Sequence, residues 1–267
     1  MYQRAARPLY NHFLFTAAQR ERLEVVLVSP RNPLNIGAVA RAMANFGFSR
    51  LTVVAPYEAH WREAQSAVGA ENLLQNARRA ETLTEAVSAC SLVLGTATLT
   101  RRQPEQTVVA LPALAPIAQG RLSSSGRVAL VFGSEKRGLS RDDLALCHFL
   151  VEIPTHPRQP SMNLGQAVAV CLYELSAPRG NPPRPSANPK PGPSSAPATA
   201  NDLHLLSGVI DQTMAAVNYS PASMRNANRR HMHLLLRRLS LSHPDARRML
   251  GLFRRILWQL QHRAEPN

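Results

Sequence analysis

Short apolar runs that end in turn-forming residues recur through the first two thirds of the chain, and this alternation limits the possible folds more than any other feature. The runs are Leu23–Ser29, Arg50–Ala55, Ser91–Gly95, Val128–Phe132 and Phe149–Ile153. Such short, uniformly apolar runs are typical of parallel strands buried on both faces, and the segments between them have helical periodicity. The sequence therefore predicts an α/β fold, with a mostly parallel sheet of about six strands and helices on both faces.

A segment rich in proline, serine and alanine separates this region from the rest of the chain. It covers residues 178–200, and its composition cannot bury a core, so we interpret it as an extended linker. The chain has 267 residues, enough for one large domain and a smaller one. We predict an N-terminal extension at 1–22, either a short helix or a flexible arm, then an α/β domain at 23–177 and a small α-helical domain at 201–267.

The chain is strongly basic. It has 31 Lys and Arg residues against 17 Asp and Glu residues, a formal charge of +14. This excess attracts polyanions, so nucleic acid is the leading partner. A membrane surface is the alternative, but the basic residues are spread over several segments and do not share one amphipathic helix. Without an apolar run of membrane-spanning length or a signal-like N-terminus, we expect a cytoplasmic protein that does not bind membranes.

Apolar stripes at helical spacing predict three helices after the linker. The stripes are Leu203, Leu206, Ile210, Met214 and Val217, then Leu235, Leu236 and Leu239, then Leu250, Phe253, Leu257 and Leu260. Between them lie Arg225, Arg229, Arg230, Arg237, Arg238, Arg247, Arg248, Arg254 and Arg255. Because acidic partners are scarce, we interpret these arginines as an RNA-binding face, with a merely solvated face as the alternative.

The cysteines and a pair of histidines do not predict a metal site. Cys90, Cys147 and Cys171 are far apart on apolar patterns and form no Cys-x-x-Cys pair, which favours core packing over a disulfide or zinc site. His231 and His233 have no acidic or cysteine companions nearby, so we interpret them as surface or RNA-facing residues. We predict no structural metal.

Two loops follow the last two apolar runs and predict a ligand crevice. The first is Gly133-Ser134-Glu135, with Gly138 closing the turn, and the second is Pro154–Pro160, after which Ser161-Met162-Asn163 opens a helix. Loops at the carboxyl ends of strands form the ligand site of open α/β sheets. The plainer explanation is that the glycines permit tight turns, Ser161 caps the helix and Asn163 is a surface residue.

A further helix is predicted from Ile36 to Phe46, after a polar loop and before the helix-ending Gly47. Its core-facing stripe includes Ile36, Ala40 and Met43, which leaves Arg41 off the core. A lone charged residue on a helix is ordinarily solvated. The residues before it, Asn35-Ile36-Gly37, favour a more specific role.

Three motifs carry a resemblance to a known family. The segments NIGAVARAMANFGF, FGSEKRGLS and SMNLGQAVAVCLYE begin at Asn35, Phe132 and Ser161. They are similar to the three motifs of the SPOUT class of RNA ribose methyltransferases. The resemblance implies S-adenosylmethionine as cofactor, held in a bent conformation by a deep C-terminal trefoil knot. It also implies a homodimer, in which Arg41 reaches the cofactor bound mainly by the other subunit.

The same resemblance assigns the site residues. The catalytic set is Arg41, Asn35, Glu135, Ser161 and Asn163, and the cofactor contacts are Thr96, Ala97, Thr98, Gly133, Ile153, Pro160, Ser161, Met162 and Leu164. Arg41 would activate the ribose hydroxyl, either as a base with a depressed pKa or as a stabiliser of negative charge. The usual Ser-Arg pattern after the third strand is altered to Leu99-Thr100-Arg101-Arg102, which leaves the roles of these two arginines open.

The order of α/β domain, linker and basic helical tail resembles the TrmJ-like branch of the class, which methylates the ribose of tRNA nucleotide 32. The resemblance therefore implies a tRNA (cytidine/uridine) 2′-O-methyltransferase acting on the anticodon loop. The alternatives are another tRNA or rRNA ribose, a non-catalytic RNA-binding member of the class, and a methyltransferase for a small molecule or protein. The intact catalytic set argues against a non-catalytic protein, and the basic tail argues against a small-molecule substrate.

Overall fold

A single parallel sheet organises the computed structural model, which describes residues 14–98, 104–176 and 196–262. Its strands are β1 Leu23–Val28, β2 Arg50–Val54, β3 Arg78–Ala80, β4 Leu92–Thr96, β5 Thr107–Ala110, β6 Val128–Phe132 and β7 Phe149–Glu152. They lie in the order β3-β2-β1-β6-β4-β7-β5, and every neighbouring pair is parallel. Arg101, Arg102, most of the predicted extension and most of the predicted linker lie outside these ranges.

Ten α-helices accompany the sheet within the described ranges. They are α1 Ala17–Arg20, α2 Pro33–Asn45, α3 Glu71–Gln75, α4 Leu83–Ala86, α5 Leu114–Ser123, α6 Arg141–Ala145, α7 Leu164–Ser176, α8 Ala200–Ala216, α9 Arg225–Arg238 and α10 His243–His262. The predicted mostly parallel sheet with helices is confirmed. The sequence missed the two edge strands, β3 and β5, which are short and present exposed residues where the central strands present buried ones.

Alternate side chains of the central strands pack on opposite faces of the sheet. In β1, Val25 and Leu27 belong to a large core that also contains residues of α2, α5 and α7. Val26 and Val28 belong to a second core that contains residues of α4, α6 and the first residue of α8. Because both faces are covered, the strands consist of apolar residues without polar alternation.

Helix α2 begins earlier than the apolar pattern predicts. The side chain of Asn32 accepts a hydrogen bond from the backbone of Leu34 at 2.9 Å, and Pro33 occupies the first turn, where its missing N–H costs nothing. The predicted stripe, Ile36, Ala40 and Met43, is buried. The sequence prediction placed the start at Ile36 because it followed the apolar stripe, which begins one turn after the cap.

Helices α2 and α7 lie side by side and run in the same direction. Gly165 meets Ala38 near their amino-terminal ends, where a Cβ on the glycine would lie 2.9 Å from the Ala38 Cβ. Phe46 and Tyr173 meet edge to face near the other ends, with ring centroids 6.2 Å apart. This close pairing carries the residues that follow Asn32 and those that precede Leu164 to the same edge of the sheet.

The ends of the predicted extension and linker are part of the folded structure. Phe15 is 1% exposed within the large core, and the backbone of Leu14 donates to Ser176 at 3.3 Å. Ala198 is buried, and the backbone of Ala200 donates to Cys90 at 2.7 Å. The composition of these segments does not reveal such contacts, because they depend on single apolar side chains and backbone groups.

The three helices after residue 196 share a small core, and part of the predicted packing is wrong. Helix α8 packs on α10 and α9, and the buried residues include Leu203, Leu206 and Ile210 as predicted. The predicted Leu235, Leu239 and Val217 are instead 40%, 50% and 51% exposed. Helix α9 buries Leu234 and Leu236 because it packs against α6 of the sheet region as well as α8.

Arg237 corrects the predicted RNA-binding face. Its side chain is 4% exposed and donates hydrogen bonds to the carbonyl groups of Leu146, at 2.8 Å, and His233, at 3.1 Å. Burial lowers the pKa of Arg237 to about 10, so it stays protonated at neutral pH. A buried guanidinium that bonds the end of α6 cannot face RNA. Arg237 is a contact between α9 and the sheet region.

The three cysteines are free and buried, as the core-packing prediction requires. Burial raises the pKa of each thiol to about 12, so all three are unreactive near neutral pH. Within residues 14–98, 104–176 and 196–262, no cluster of His, Cys, Asp and Glu side chains could hold a metal ion. In the same ranges, no helix combines the length and apolar character that crossing a membrane requires.

Candidate active site

The carboxyl ends of β4, β6 and β7 and the start of α7 surround a cavity of about 290 Å³. All the predicted cofactor contacts line it: Thr96, Ala97, Thr98, Gly133, Ile153, Pro160, Ser161, Met162 and Leu164. The predicted catalytic residue Glu135 also lines the cavity. The sheet order explains this convergence, because β6, β4 and β7 are neighbours and their following loops leave from one edge.

Several lining residues were not predicted. They are Phe132, Ser134, Lys136, Arg137, Gly138, Leu139, Val151, Thr155 and Ala167. Ala167 lies three residues after Leu164 on α7, so helical spacing could have found it. Phe132 is the last residue of a predicted strand, so its position at the end of that strand is a similar signal. Lys136 and Arg137 lie in a loop, where sequence does not determine which side chains face the cavity.

The loop after β6 requires glycine at two positions. The backbone of Gly138 donates to Ser134 at 2.8 Å and closes the turn with a φ of +65°, a conformation that favours glycine. A Cβ at Gly133 would lie 2.1 Å from the Gly138 carbonyl carbon and 2.2 Å from the Leu139 nitrogen. The glycines therefore do permit a tight turn, and this turn forms one wall of the cavity.

Threonine hydroxyls hold the opposite loop in place. Thr155 donates to the carbonyl oxygen of Pro160 at 3.2 Å, and Thr98 approaches the same oxygen at 3.5 Å. Thr96 donates to the carbonyl oxygen of Val131 at 3.1 Å, which links the ends of β4 and β6. These hydroxyls fix the walls of the cavity through their protons, and their oxygen atoms remain available as acceptors.

Three predicted catalytic residues form one hydrogen-bond network. Asn163 donates to the side-chain oxygen of Asn35 at 3.0 Å, and Asn35 donates to Glu135 Oε1 at 2.8 Å. The Glu135 carboxylate also accepts from the backbone of Arg31 at 2.9 Å and of Asn32 at 3.1 Å. The network ties the loop after β6 to the start of α2 and the start of α7. These hydrogen bonds hold the three polar side chains in one arrangement at the edge of the cavity.

Asn163, not Ser161, caps α7. The side-chain oxygen of Asn163 accepts from the backbone of Gly165 at 2.9 Å and of Gln166 at 3.4 Å. The plainer explanation is therefore wrong in making Ser161 the cap, whereas Asn163 is exposed, as that explanation assumed, and is also hydrogen-bonded within the site. Ser161 is exposed at the cavity instead. Asn163 is better suited as the cap because its amide also has donors, which reach Asn35.

The electrostatics of Glu135 follow from this network. Partial burial alone would raise the pKa of its carboxyl group, but hydrogen bonds from the Asn35 side chain and from the backbone of Arg31, Glu135 and Asn32 outweigh burial and lower it. Its negative charge also lies beside the amino-terminal end of α2, where the helix dipole favours an anion. Glu135 is therefore ionised at neutral pH and acts as an acceptor.

Arg41 lies apart from the other predicted catalytic residues. It is exposed in the middle of α2 and is not one of the residues that line the cavity of its own chain. Asn35 and Asn163 do not line the cavity either, but they bond to Glu135, which does. The structure thus joins four of the five predicted catalytic residues around one cavity and leaves Arg41 outside it.

Comparisons with known proteins identify the family of the chain. The sequence profile of the SpoU rRNA methylase family matches residues 22–173. A tRNA (cytidine/uridine/adenosine-2′-O-)-methyltransferase TrmJ of Pseudomonas aeruginosa is 34% identical over 252 residues, covering 90% of this chain and 94% of that protein. A tRNA (cytidine/uridine-2′-O-)-methyltransferase TrmJ of Escherichia coli K12 is 31% identical and covers 92% of this chain and 98% of its own length.

Solved structures give the same result for the fold. The crystal structure of TrmJ from Z. mobilis ZM4 superposes with a TM-score of 0.75 at 29% identity, covering 87% of this chain and 98% of that one. Because the family profile spans more than half of the chain and the full-length relatives exceed 30% identity, the chain belongs to the SpoU methylase family of the SPOUT class.

Proposed function

We propose that this protein is an S-adenosylmethionine-dependent tRNA 2′-O-ribose methyltransferase that acts in the cytoplasm on the nucleotide-32 ribose of the anticodon loop, at cytidine or uridine. The observation that carries the proposal is the cavity at the ends of β4, β6 and β7, with the Asn163–Asn35–Glu135 network at its edge. Membership of the SpoU methylase family supports the reaction class. The basic charge supports an RNA substrate.

The residues of the cavity suit S-adenosylmethionine. Apolar side chains such as Ile153 and Leu164 can contact the flat adenine, and the loop at Gly133 offers backbone groups because a Cβ there would meet the neighbouring backbone. Ser161 and Thr155 provide hydroxyl groups for the polar parts of the cofactor. When bound, the cofactor supplies an electrophilic methyl group on a sulfonium. The protein then has to position the ribose and remove its proton.

Arg41 is the proposed catalytic residue for that proton loss. A guanidinium is always protonated in proteins, so it serves better as a hydrogen-bond donor than as a base. We expect it to bind the ribose 2′-oxygen or the adjacent phosphate and to stabilise the negative charge that develops on the oxygen. A phosphate oxygen or water takes the proton. Asn35 and Asn163 position the Arg41 guanidinium or the ribose. The Glu135 carboxylate holds the backbone before α2 in place.

A homodimer accounts for the position of Arg41. The residue lies outside the cavity of its own chain, on the helix that pairs with α7. The exposed faces of these two helices present Leu34, 55% exposed, and Tyr173, 60% exposed. Apolar residues of this kind suit an interface with a second copy. In the proposed dimer, Arg41 of one subunit serves the cavity of the other.

The trefoil knot of the SPOUT class is part of the same proposal. Strand β7 lies between β4 and β5, two strands that come earlier in the chain. The chain after β6 therefore has to pass the connection that joins β4 to β5 before α7 can return to the cavity. This order supports a threaded chain. We also propose that residues 201–267 bind tRNA, which their exposed arginines support.

Two other substrates are close alternatives. The matching family profile is named for rRNA, and the Pseudomonas aeruginosa relative is named for adenosine as well as cytidine and uridine. Another tRNA or rRNA ribose is therefore the second candidate. A non-catalytic RNA-binding protein is less well supported, because the Asn35, Glu135 and Asn163 network is complete.

The test is methyl transfer from labelled S-adenosylmethionine to bulk tRNA and to rRNA, followed by mapping of the modified nucleotide. Arg41→Ala should lower turnover by at least about 100-fold, because it removes a charge-stabilising donor, with cofactor affinity nearly unchanged. Turnover retained by Arg41→Ala would contradict the role of this residue. Methylation only of rRNA, or of another tRNA position, would favour the second candidate.

Mixing two inactive variants tests the shared site. Ser161→Trp should fill the cavity, since Ser161 is exposed and lines it, and so block cofactor binding without disturbing the core. If Arg41 serves the partner's cavity, co-refolding Arg41→Ala with Ser161→Trp should restore part of the activity. Each variant refolded alone is the control. Absence of any recovery in verified mixed dimers would place Arg41 at the cavity of its own subunit.

A further inference from the structure

A second and larger concavity opens beside the cofactor cavity, between the sheet region and α9. Its volume is about 1470 Å³. Its walls are formed by the carboxyl ends of β1 and β2, the loop after β6, α6 and α9. The two concavities share Ala97, Ser134, Lys136, Arg137, Gly138 and Leu139. A ligand in this groove would therefore lie next to the cofactor.

The groove is basic. Its cationic lining residues are Arg31, Lys136, Arg137, Arg141 and Arg230, whereas its acidic residues are Glu105 and Asp143. Asp143 accepts hydrogen bonds from the backbone and hydroxyl of Ser140 within its own helix cap. Glu105 lies 3.4 Å from His231. Among the lining residues cations therefore outnumber acids, and Arg230 also has an ion-pair partner outside the lining, the 82% exposed Asp142 at 3.5 Å.

The groove also presents an aromatic ring. Tyr57 lines it and is 67% exposed, and the Arg31 guanidinium lies 4.7 Å from the centre of its ring. Exposed aromatic and guanidinium planes are surfaces on which unpaired bases stack, whereas paired bases do not offer their faces. Positive charges along the groove match a phosphodiester backbone.

The wall that α9 forms is held firmly. Arg237 of α9 donates to the carbonyl oxygen of Leu146 at the end of α6, and the two helices pack against each other. Helix α9 is thereby fixed to the sheet region on the side of the groove. The walls of the groove therefore have a fixed separation, and a bound chain would have a defined path toward the cofactor cavity.

We propose that this groove binds the single-stranded segment of RNA that flanks the target nucleotide, with its phosphates on Arg141 and Arg230 and a base stacked on Tyr57. The proposal rests on the proposed function for the identity of the RNA, which would be the anticodon loop. It gives α9 a direct part in substrate positioning. The arginines of α10, by contrast, do not line this groove.

The first experiment measures the affinity of full-length protein for an unmodified tRNA transcript across a salt series, by fluorescence anisotropy. The double variant Arg141→Gln/Arg230→Gln removes two phosphate contacts, which should lower the slope of log affinity against log salt by about 1.4 and weaken binding roughly 20-fold at 0.1 M salt. Calorimetry should show unchanged affinity for S-adenosylmethionine. A wild-type slope in the double variant would overturn the proposal.

The matched control is Arg50→Gln. Arg50 is an exposed arginine at the amino end of β2, on the edge of the sheet opposite the groove, where it donates to the Glu21 carbonyl oxygen at 2.7 Å. Its substitution should leave the salt slope at the wild-type value. An equal loss of slope in the control would also overturn the groove proposal, because general surface charge would then explain the binding. Thermal melting confirms that each variant is folded.

Stacking has its own test. Tyr57→Leu should weaken binding of the tRNA by at least about fivefold, whereas Tyr57→Phe, which keeps the ring, should bind like wild type. A duplex RNA of equal length should compete poorly. Equal competition by the duplex, or equal binding by both Tyr57 variants, would contradict a single-stranded ligand.

The two proposals fail in different ways. If wild-type protein methylates tRNA but the groove variants keep the wild-type slope and rate, the groove proposal fails and the proposed function stands. If wild-type protein transfers no methyl group to any RNA while the groove variants still lose salt-dependent binding, the proposed function fails and the groove stands.

Discussion

The sheet region and the three helices after residue 196 differ in what orients their side chains. In β1, Val25 and Val26 are both fully buried, in different cores, so the pleat alone decides the face on which each one packs. In α10, which has twenty residues, only Ala246 is fully buried. Sequence periodicity therefore predicts orientation well where a sheet offers two continuous apolar faces, and poorly where a helix contacts its neighbours along part of its length.

The two regions also use charge differently. In the sheet region Glu135, a charged residue of the site, is held by backbone amides at the start of α2. In the helices most arginines are exposed, but Arg237 is buried and fixes α9 to the sheet region. A cluster of arginines in a sequence can therefore include a structural member, and burial identifies it.

The largest effect is expected in the sheet region, at the loop after β6. Gly133→Ala should destabilise the protein by more than about 3 kcal/mol and abolish cofactor binding, because the new Cβ would overlap the backbone of Gly138 and Leu139. Gly120→Ala is the control, since Gly120 lies in α5 with open space around it and should gain up to about 1 kcal/mol. Urea denaturation of both variants gives the comparison. Similar stabilities would mean that the loop after β6 rearranges to accommodate the added Cβ.

The contact between the two regions should give the next effect. Arg237→Ala should cost roughly 2 to 3 kcal/mol, because it leaves the carbonyl groups of Leu146 and His233 without their donor. The neighbouring Arg238→Ala should change stability by less than about 0.5 kcal/mol, since Arg238 is exposed. Differential scanning calorimetry measures both. Equal values for the pair would show that the buried guanidinium does not hold the two regions together.

A smaller, pH-dependent effect is expected from His148. Burial, helped by Arg237 and Arg121, lowers its pKa to about 3, while its Nδ1 accepts a hydrogen bond from the Val93 backbone at 3.1 Å. The unfolded state binds the proton first, so the stabilising contribution is complete above pH 6.5 and is lost progressively as pH falls toward 3. When the pH falls from 7 to 5, protonation of this histidine in the unfolded state should lower the free energy of unfolding by about 2 kcal/mol.

Urea unfolding of wild type and His148→Asn at the two pH values tests this effect. The asparagine carbonyl oxygen can still accept from Val93, but the side chain does not titrate. The variant should therefore lose less stability than wild type on going to pH 5. The same pH dependence in both proteins would show that His148 is not the group responsible. His233, whose pKa burial lowers to about 4, would be the next residue to substitute.

The sequence predicts the central fold and most of the cavity for a physical reason. Parallel strands buried on both faces have an unmistakable composition, and their carboxyl ends converge, so Gly133 and Ser161 could be placed near one another in advance. The edge strands β3 and β5 have few buried residues and no such signal. The cap at Asn163 was missed because Ser161 is an equally good capping residue by type, and only the backbone geometry selects between them.

The hydrogen bonds around Asn35 have a direction. Backbone amides at the start of α7 donate to Asn163, Asn163 donates to Asn35, and Asn35 donates to Glu135. Every proton in this series points toward the same carboxylate, on which the backbone amides before α2 also converge. Each bond polarises the next, so the negative charge of Glu135 is sensed at the first turn of α7. The order of the amides is thus fixed by electrostatics. Rotating the Asn35 amide by half a turn would set oxygen against oxygen at Glu135 and nitrogen against nitrogen at Asn163, and α7 would lose its link to the carboxylate that α2 holds.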